Sequence, residues 1–147
     1  MDELVQWLRE QLDDDEQTAQ AASAGPWSTR WNGQDHELVA PARAYPIAEW
    51  TYAIATQEPE ASAHRAECDT ANADHIVRHD PARVLREIDA KRKTIALCEP
   101  PLVDVTGPGD TEKSFVPGEG TPWGLDVLKL LALPYADRPG YREAWRP

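Results

Sequence analysis

The sequence predicts an α+β fold in which a small Trp-rich three-stranded antiparallel sheet is packed by three main helices. Three segments repeat apolar residues at helical spacing, and a Gly or Pro follows each of them closely. A further segment alternates apolar and polar residues and carries three Trp, which is typical of strands with one buried face. Only 26 of 147 residues are Leu, Ile, Val or Phe, but six Trp and four Tyr can each bury roughly 150–250 Å². We therefore expect residues 1–147 to form a single domain.

The first helix is predicted between Asp2 and Ala24, a stretch without Gly or Pro. Its apolar residues fall on one stripe of the helix: Leu4, Val5, Leu8, Leu12, Ala19 and Ala22. Gly25-Pro26 ends the helix. Asp15 lies inside the apolar stripe, where a carboxylate needs a partner or access to water.

The three strands are predicted at Trp27–Trp31, Glu37–Val39 and Ala48–Ile54, with Asn32-Gly33 as the first turn. We expect their Trp side chains to pack against a helix. A stacking platform for a planar ligand is the alternative interpretation of the same aromatic residues.

A second pair of helices follows the sheet. A short helix is predicted near Thr70–His79, and Asp80-Pro81 supplies a cap followed by Pro, which predicts a helix that reaches Leu97. Lys91 and Arg92 interrupt the apolar stripe of that helix. Because Asp15 interrupts the first stripe with the opposite charge, we predict that Asp15 pairs with Lys91 or Arg92 and fixes the register of the two helices.

Residues 98–120 are rich in Pro and Gly and have no helical period, so they predict a flexible loop or an insertion. The helix that follows, Trp123–Leu133, is closed by Pro134 and is almost entirely apolar. We expect it to be the most buried element or to be covered by a partner. A homo-oligomer formed through this helix is one such arrangement.

The C-terminal residues 134–147 combine arginine with aromatic side chains. Arginine recurs every four residues, as does the aromatic pair, so a short helix from Pro139 would carry an arginine edge beside an aromatic edge. We expect this segment to lie as a strap over the acidic first helix. Docking to a partner is the alternative, because Arg, Tyr and Trp are typical of binding hot spots; the candidate partner-binding residues are Arg138, Tyr141, Arg142, Trp145 and Arg146.

The charge balance excludes several classes of function. Lys and Arg number 15 against 26 Asp and Glu, so the net charge is −11 and the sequence pI is about 4.7. Such a chain has no overall positive field for a phosphate backbone, and we expect no direct nucleic-acid binding. No apolar run is long enough for a membrane span, and we expect no secretory signal, because Met1-Asp2-Glu3 carries acid where such a signal would carry base. We expect a cytoplasmic protein whose cysteines, Cys68 and Cys98, are reduced.

His75 and His79 are the candidate metal ligands. Histidines four residues apart on a helix project from one face and can hold a transition metal. This pair lacks the Glu that would activate water in H-E-x-x-H, so solvent-facing or helix-capping histidines are the main interpretation and a metal site is the alternative. Glu112 stands where a phosphate loop requires Gly before Lys113. We therefore expect no cofactor.

Three stretches carry a resemblance to a known family: Met1–Leu8 with Gly25–Trp27, His75–Arg92, and Leu130–Tyr141. In this order they resemble an uncharacterised family of short proteins from actinobacteria and their phages, a domain of unknown function. The resemblance implies an intracellular bacterial or phage setting and supplies no catalytic residues.

These observations favour a non-enzymatic protein-interaction or regulatory module, an accessory protein of a bacterium or phage with an unknown protein partner. One alternative is an acidic decoy that occupies a nucleic-acid-binding protein through Asp13–Glu16 and neighbouring carboxylates. The other is a metal-binding protein that uses His75 and His79.

Overall fold

The computed structural model describes residues 1–33, 36–50, 59–109 and 111–147, with side chains omitted at 50 and 59–66. The predicted α+β fold is confirmed. The helices are α1 Asp2–Ala21, α2 Pro59–Arg78, α3 Pro81–Cys98 and α4 Gly124–Ala132. The strands are β1 Ser28–Trp31, β2 His36–Val39, β3 Ala48–Trp50, β4 Leu102–Asp104 and β5 Phe115–Pro117.

The chain divides into two compact units. The first, here called the terminal unit, consists of Met1–Asp14 and Ile88–Pro147, and the second, the central unit, is Asp15–Glu87. The single domain expected over residues 1–147 stays a prediction.

The core of the terminal unit comes from residues at helical spacing. Leu4, Leu8 and Leu12 lie on one face of α1 and are at most 2% exposed. The other large, fully buried side chains of this unit are Ile88, Ile95, Cys98 and Leu128. Burial raises the pKa of the Cys98 thiol, as expected for a cysteine that serves as a small apolar residue.

α4 buries a narrow stripe rather than its whole circumference. Gly124, Leu128 and Ala132 are its buried residues. A Cβ at Gly124 would lie 2.8 Å from the Cys98 carbonyl oxygen and from Thr121 Oγ1, so only glycine lets α4 begin this close to the end of α3. Leu125 and Leu130 are exposed, whereas Val127 and Leu131 are half-buried, so α4 is less buried than β2, whose four residues are all buried or half-buried.

The segment at 98–120 contains the two-stranded sheet β4–β5 instead of being irregular throughout. Its strands pair antiparallel with Val103 opposite Val116. Backbone hydrogen bonds extend the pairing on both sides, from Val105 N to Ser114 O at 2.8 Å and from Gly118 N to Pro101 O at 2.7 Å. Strands of three residues between Pro and Gly are too short to show a period in the sequence.

The central unit contains the predicted sheet, in the order β1–β2–β3 with antiparallel neighbours. Leu38 on β2 is 3% exposed and lies opposite Ala48 on β3. The predicted third strand continued to Ile54, but residues 51–54 lie outside the described residues.

α2 is longer than the short helix predicted at Thr70–His79, since it spans Pro59–Arg78. No Gly or Pro interrupts it after its first residue, and five of its residues are Ala, the best helix former. Ala73 and Ile76 line a small cavity of about 140 Å³ together with Leu38 and Ala48, which places α2 beside the sheet.

Candidate interaction surface

Trp7 on α1 is the centre of an aromatic cluster in the terminal unit. Its ring centroid lies 6.4 Å from that of Tyr135, 5.7 Å from Tyr141 and 5.3 Å from Trp145. Its Nε1 donates a hydrogen bond to the Pro139 carbonyl oxygen at 3.1 Å. Because Trp7 is only 7% exposed, the C-terminal aromatic residues are packed against α1 rather than displayed to solvent.

The C-terminal arginines contact carboxylates of the same unit. Arg142 Nη1 lies 2.5 Å from Glu3, and Arg138 Nη1 lies 3.6 Å from Asp14. The guanidinium of Arg138 also lies over the Tyr135 ring, 4.8 Å from its centroid. These pairs are largely solvent-exposed, so each adds little stability and mainly orients the segment.

Arg146 pairs with Glu143 at 3.0 Å, within the segment itself. The short helix from Pro139 that would align these edges does not form, and this stretch contains a 3₁₀ turn at Glu143–Trp145. Gly140 has φ +85°, and a Cβ there would lie 2.9 Å from Trp7 Nε1, so the backbone leaves the helical region where it meets Trp7. A partner-binding role for Arg138, Tyr141, Arg142, Trp145 and Arg146 stays a prediction.

A different part of the terminal unit exposes apolar side chains. Of the fourteen large hydrophobic residues that are exposed in the described part of the chain, ten lie between residues 97 and 133. We call them the exposed apolar set: Leu97, Leu102, Val103, Val105, Phe115, Val116, Trp123, Leu125, Leu130 and Leu133. Sequence reasoning identified only those on or beside α4, because the period-free segment at 98–120 gave no sign of strands.

The charges between residues 97 and 133 are mostly negative. Six residues of this range are Asp or Glu and two are Lys. Asp104, Glu112, Glu119 and Asp126 are all exposed. Hydrogen bonds from the Thr106 hydroxyl and backbone N–H lower the pKa of the Asp104 carboxyl, which keeps it ionised. The exposed apolar set is therefore accompanied by carboxylates.

The two candidate metal ligands lie in the central unit at the end of α2. The ring centroids of His75 and His79 are 4.3 Å apart. Nδ1 of His79 lies 2.8 Å from the His75 carbonyl oxygen, which can only accept, so Nδ1 carries the hydrogen. Across the described residues, no group of three or more His, Cys, Asp and Glu side chains is arranged to hold a metal ion. The pair alone offers two imidazole ligands at most.

The predicted charge pair concerns Asp15, Lys91 and Arg92. In the terminal unit, Arg92 Nη2 lies 2.6 Å from Asp13 Oδ1, and Lys91 Nζ lies 3.0 Å from the Tyr135 hydroxyl. Asp15 belongs to the central unit, and its pairing with Lys91 or Arg92 stays a prediction.

A model of the family of unknown function DUF6221 matches residues 1–147. The chain belongs to the DUF6221 family. This match confirms the resemblance to an uncharacterised family noted from the sequence. No curated protein and no solved structure matches this DUF6221 chain. Among its described helices, none combines the length and apolar character that crossing a bilayer requires.

Proposed function

We propose that this DUF6221 chain is a protein-interaction module that binds its partner through the exposed apolar set. The observation that supports this most is the concentration of ten exposed large hydrophobic residues between residues 97 and 133. Monomeric proteins rarely leave large apolar patches in water, and such residues commonly mark a surface that a partner covers.

α4 is the element on which the proposal rests most directly. Leu130 is 57% exposed and Leu133, directly after the helix, is 44% exposed, whereas Leu128 on the opposite face from Leu130 is fully buried. The helix therefore has one apolar face for its own core and a second one turned to solvent. A helix that is apolar on both faces is typical of an element held between a domain and a partner.

Charge favours a basic partner over a second copy. The chain carries a net charge of −11, and carboxylates outnumber lysines around the exposed apolar set. Two copies would bring these carboxylates together, whereas a partner with an apolar centre and a basic rim would complement them. We therefore propose a partner of that chemistry rather than a homo-oligomer.

The contacts of the acidic residues on α1 give less support to the acidic-decoy alternative. Asp13 is paired with Arg92 and Asp14 lies near Arg138, so two of the four consecutive acids already meet arginines of their own chain. A decoy would need these carboxylates for its target.

The test uses photo-crosslinking in the cells that make the native chain. A photoreactive amino acid is placed at Leu130, at Phe115, or at Thr29, an exposed residue of β1 in the central unit that serves as the control. We expect the first two positions to yield the same protein adduct and Thr29 to yield none. The purified partner is then titrated against the wild-type chain, Leu130→Glu and the matched control Thr29→Glu.

Leu130→Glu should weaken binding at least about tenfold, a typical loss for a central interface residue, and Thr29→Glu should leave it unchanged. Equal affinity of the two variants would contradict the proposal. Adducts formed only with a second copy would replace it with a homo-oligomer, and a common adduct from all three positions would show nonspecific capture.

A further inference from the structure

The central unit contains an open cavity of about 340 Å³, and none of its lining residues belongs to the exposed apolar set. It lies beside the C-terminal half of α1 and the corner where α2 ends and α3 begins. Ala19 on α1 and Ala22, directly after α1, form part of its wall, and Val84 forms part of the wall on α3. Because alanine has only a methyl group, these positions leave space that larger side chains would fill. The volume is at the lower end of small-molecule sites.

The indole side chain of Trp27 lines the cavity. This ring is held in place, since its Nε1 donates to the Ser23 carbonyl oxygen at 2.7 Å and the backbone N of Trp27 donates to Asp80 Oδ2 at 3.2 Å. The same Asp80 carboxylate caps α3 through Arg83 N at 2.8 Å. One buried carboxylate thus fixes both Trp27 and the start of α3, so the cavity is preformed.

The polar groups around the cavity are mainly hydrogen-bond acceptors. Asp15 contributes a carboxylate, which accepts only, and Thr18 contributes a hydroxyl, which can donate or accept. His79 also lines the cavity. Since its Nδ1 donates to the His75 carbonyl oxygen at 2.8 Å, the neutral ring has Nε2 left as an acceptor. A ligand that supplies N–H donors and positive charge fits this set better than an anion does.

We propose that this cavity binds a small organic cation, an ammonium group carried on a flat apolar body of one or two rings. The ammonium group interacts with the carboxylate of Asp15 and with His79, and the flat body lies against Trp27 and the alanine wall. Packing of the flat body against the indole adds attraction, because aromatic rings pair favourably with one another and bury a large apolar area.

The test measures binding of tryptamine by calorimetry, with indole-3-ethanol as the neutral analogue of the same shape. We expect tryptamine to bind saturably, with a dissociation constant below about 1 mM. Indole-3-ethanol should bind at least about tenfold more weakly. Asp15→Asn should weaken tryptamine binding while leaving that of the neutral analogue unchanged.

The cavity itself is tested by Ala19→Leu, which fills it, against Ala21→Leu, which adds the same atoms at an exposed position of α1. Ala19→Leu should weaken tryptamine binding at least about tenfold and Ala21→Leu should not change it. Thermal unfolding of both alanine variants shows whether they fold. Leu130→Glu should bind tryptamine with wild-type affinity, because Leu130 does not line the cavity.

Absence of saturable tryptamine binding by the wild-type chain would overturn the proposal. Equal affinity for tryptamine and indole-3-ethanol would overturn the cationic ligand class. Unchanged tryptamine affinity in a folded Ala19→Leu variant would place the binding elsewhere and overturn the site.

Discussion

Asp80 joins two segments of the central unit through a single carboxylate. It is 7% exposed, and its two oxygens accept hydrogen bonds from the backbone N–H groups of Arg83 and Trp27. A Cβ at Gly25 would collide with Asp80 Oδ2, so glycine is required where this chain segment passes the carboxylate. The residue therefore acts as a helix cap and as a tether for the segment that leads into β1.

Removing this carboxylate should lower the free energy of unfolding. Asp80→Ala leaves two backbone donors without their acceptor, and we expect a loss of about 1–3 kcal/mol in urea unfolding. Asp80→Ser should retain part of the free energy of unfolding that Asp80→Ala loses, because serine can still cap α3. The matched control is Asp89→Ala, which removes an exposed i,i+4 pair with Lys93 and should cost less than about 0.5 kcal/mol. Equal losses for Asp80→Ala and Asp89→Ala would contradict the role of the cap.

Glu37 is the second buried carboxylate of the central unit. Hydrogen bonds from Arg30 and then from Asn32 lower the pKa of Glu37 from its ordinary value of 4.5. A carboxyl with a lowered pKa stabilises the folded state above its unfolded pKa, and this contribution is lost as the pH falls through the folded value. The central unit should therefore lose stability as the pH falls below about 4.5.

An NMR titration of the Glu37 carboxyl carbon tests this assignment. We expect the midpoint to lie below 4.5 and to rise in Arg30→Gln, because that variant removes the largest cause of the shift. Arg43→Gln is the control, since Arg43 contacts the Ser23 hydroxyl instead. A midpoint that is the same in Arg30→Gln and the wild-type chain would contradict the stated cause.

At the scale of elements, α1 and the C-terminal segment hold each other through Trp7. The segment has no helix of its own beyond 3₁₀ turns, so its ordering depends on side-chain contacts: the Trp7 ring, the arginine pairs with α1, and the hydrogen bond between Lys91 and the Tyr135 hydroxyl. Aromatic packing rather than backbone hydrogen bonding should dominate the stability of this part of the terminal unit.

Trp7→Ala should therefore lower the free energy of unfolding much more than the truncation of an exposed Trp does. We expect a loss of about 3–5 kcal/mol, typical of a buried Trp truncated to Ala. Trp31→Ala on β1 is the matched control, because Trp31 is 53% exposed, and it should cost less than about 1 kcal/mol. Urea unfolding measures both variants. A Trp7→Ala loss as small as that of Trp31→Ala would contradict the packing shown by the ring distances.

At the scale of the whole molecule, the dominant feature is the net charge of −11. The ion pairs between described residues are mostly exposed and each contributes little. Repulsion among the excess carboxylates should therefore outweigh the ion pairs and oppose the folded state at low ionic strength.

Salt should accordingly stabilise this protein. Raising the ionic strength from about 0.01 M to 0.15 M shortens the Debye length from about 30 Å to about 8 Å, and we expect the Tm to rise. Sodium chloride is used because it does not act on the hydrophobic term as sulfate does. Differential scanning calorimetry provides the measurement, and a falling Tm would mean that the ion pairs contribute more than the repulsion costs.

The sequence predicted those parts of the fold that local chemistry decides. The start of α3 follows from Asp80-Pro81, and the three strands of the central sheet follow from alternation around Asn32-Gly33. α2 was underestimated because its Ala-rich sequence has little amphipathic pattern, although it also lacks breakers. β4 and β5 were missed because three residues are too few for a period.

The candidate interaction surface, like the fold, was predictable from the sequence only in part. From the sequence, the apolar character of α4 and the arginine and aromatic content of the C-terminal segment were visible, because composition and spacing are local properties. Which of these side chains face inward was decided by tertiary packing. Trp7 packs against the aromatic residues and Gly140 has a left-handed backbone conformation, while Leu130 and Leu133 are exposed to water.

The sequence by itself determined the α+β class, the main helices, the central sheet and the acidic charge, since each depends on periodicity, capping or composition. Only the tertiary structure decided that Arg92 meets Asp13, that one carboxylate at Asp80 fixes both Trp27 and α3, and that alanines at the end of α1 and directly after it leave a cavity lined by His79. The physical reason is that such contacts join residues far apart in the chain, and their distances are set by how whole elements pack.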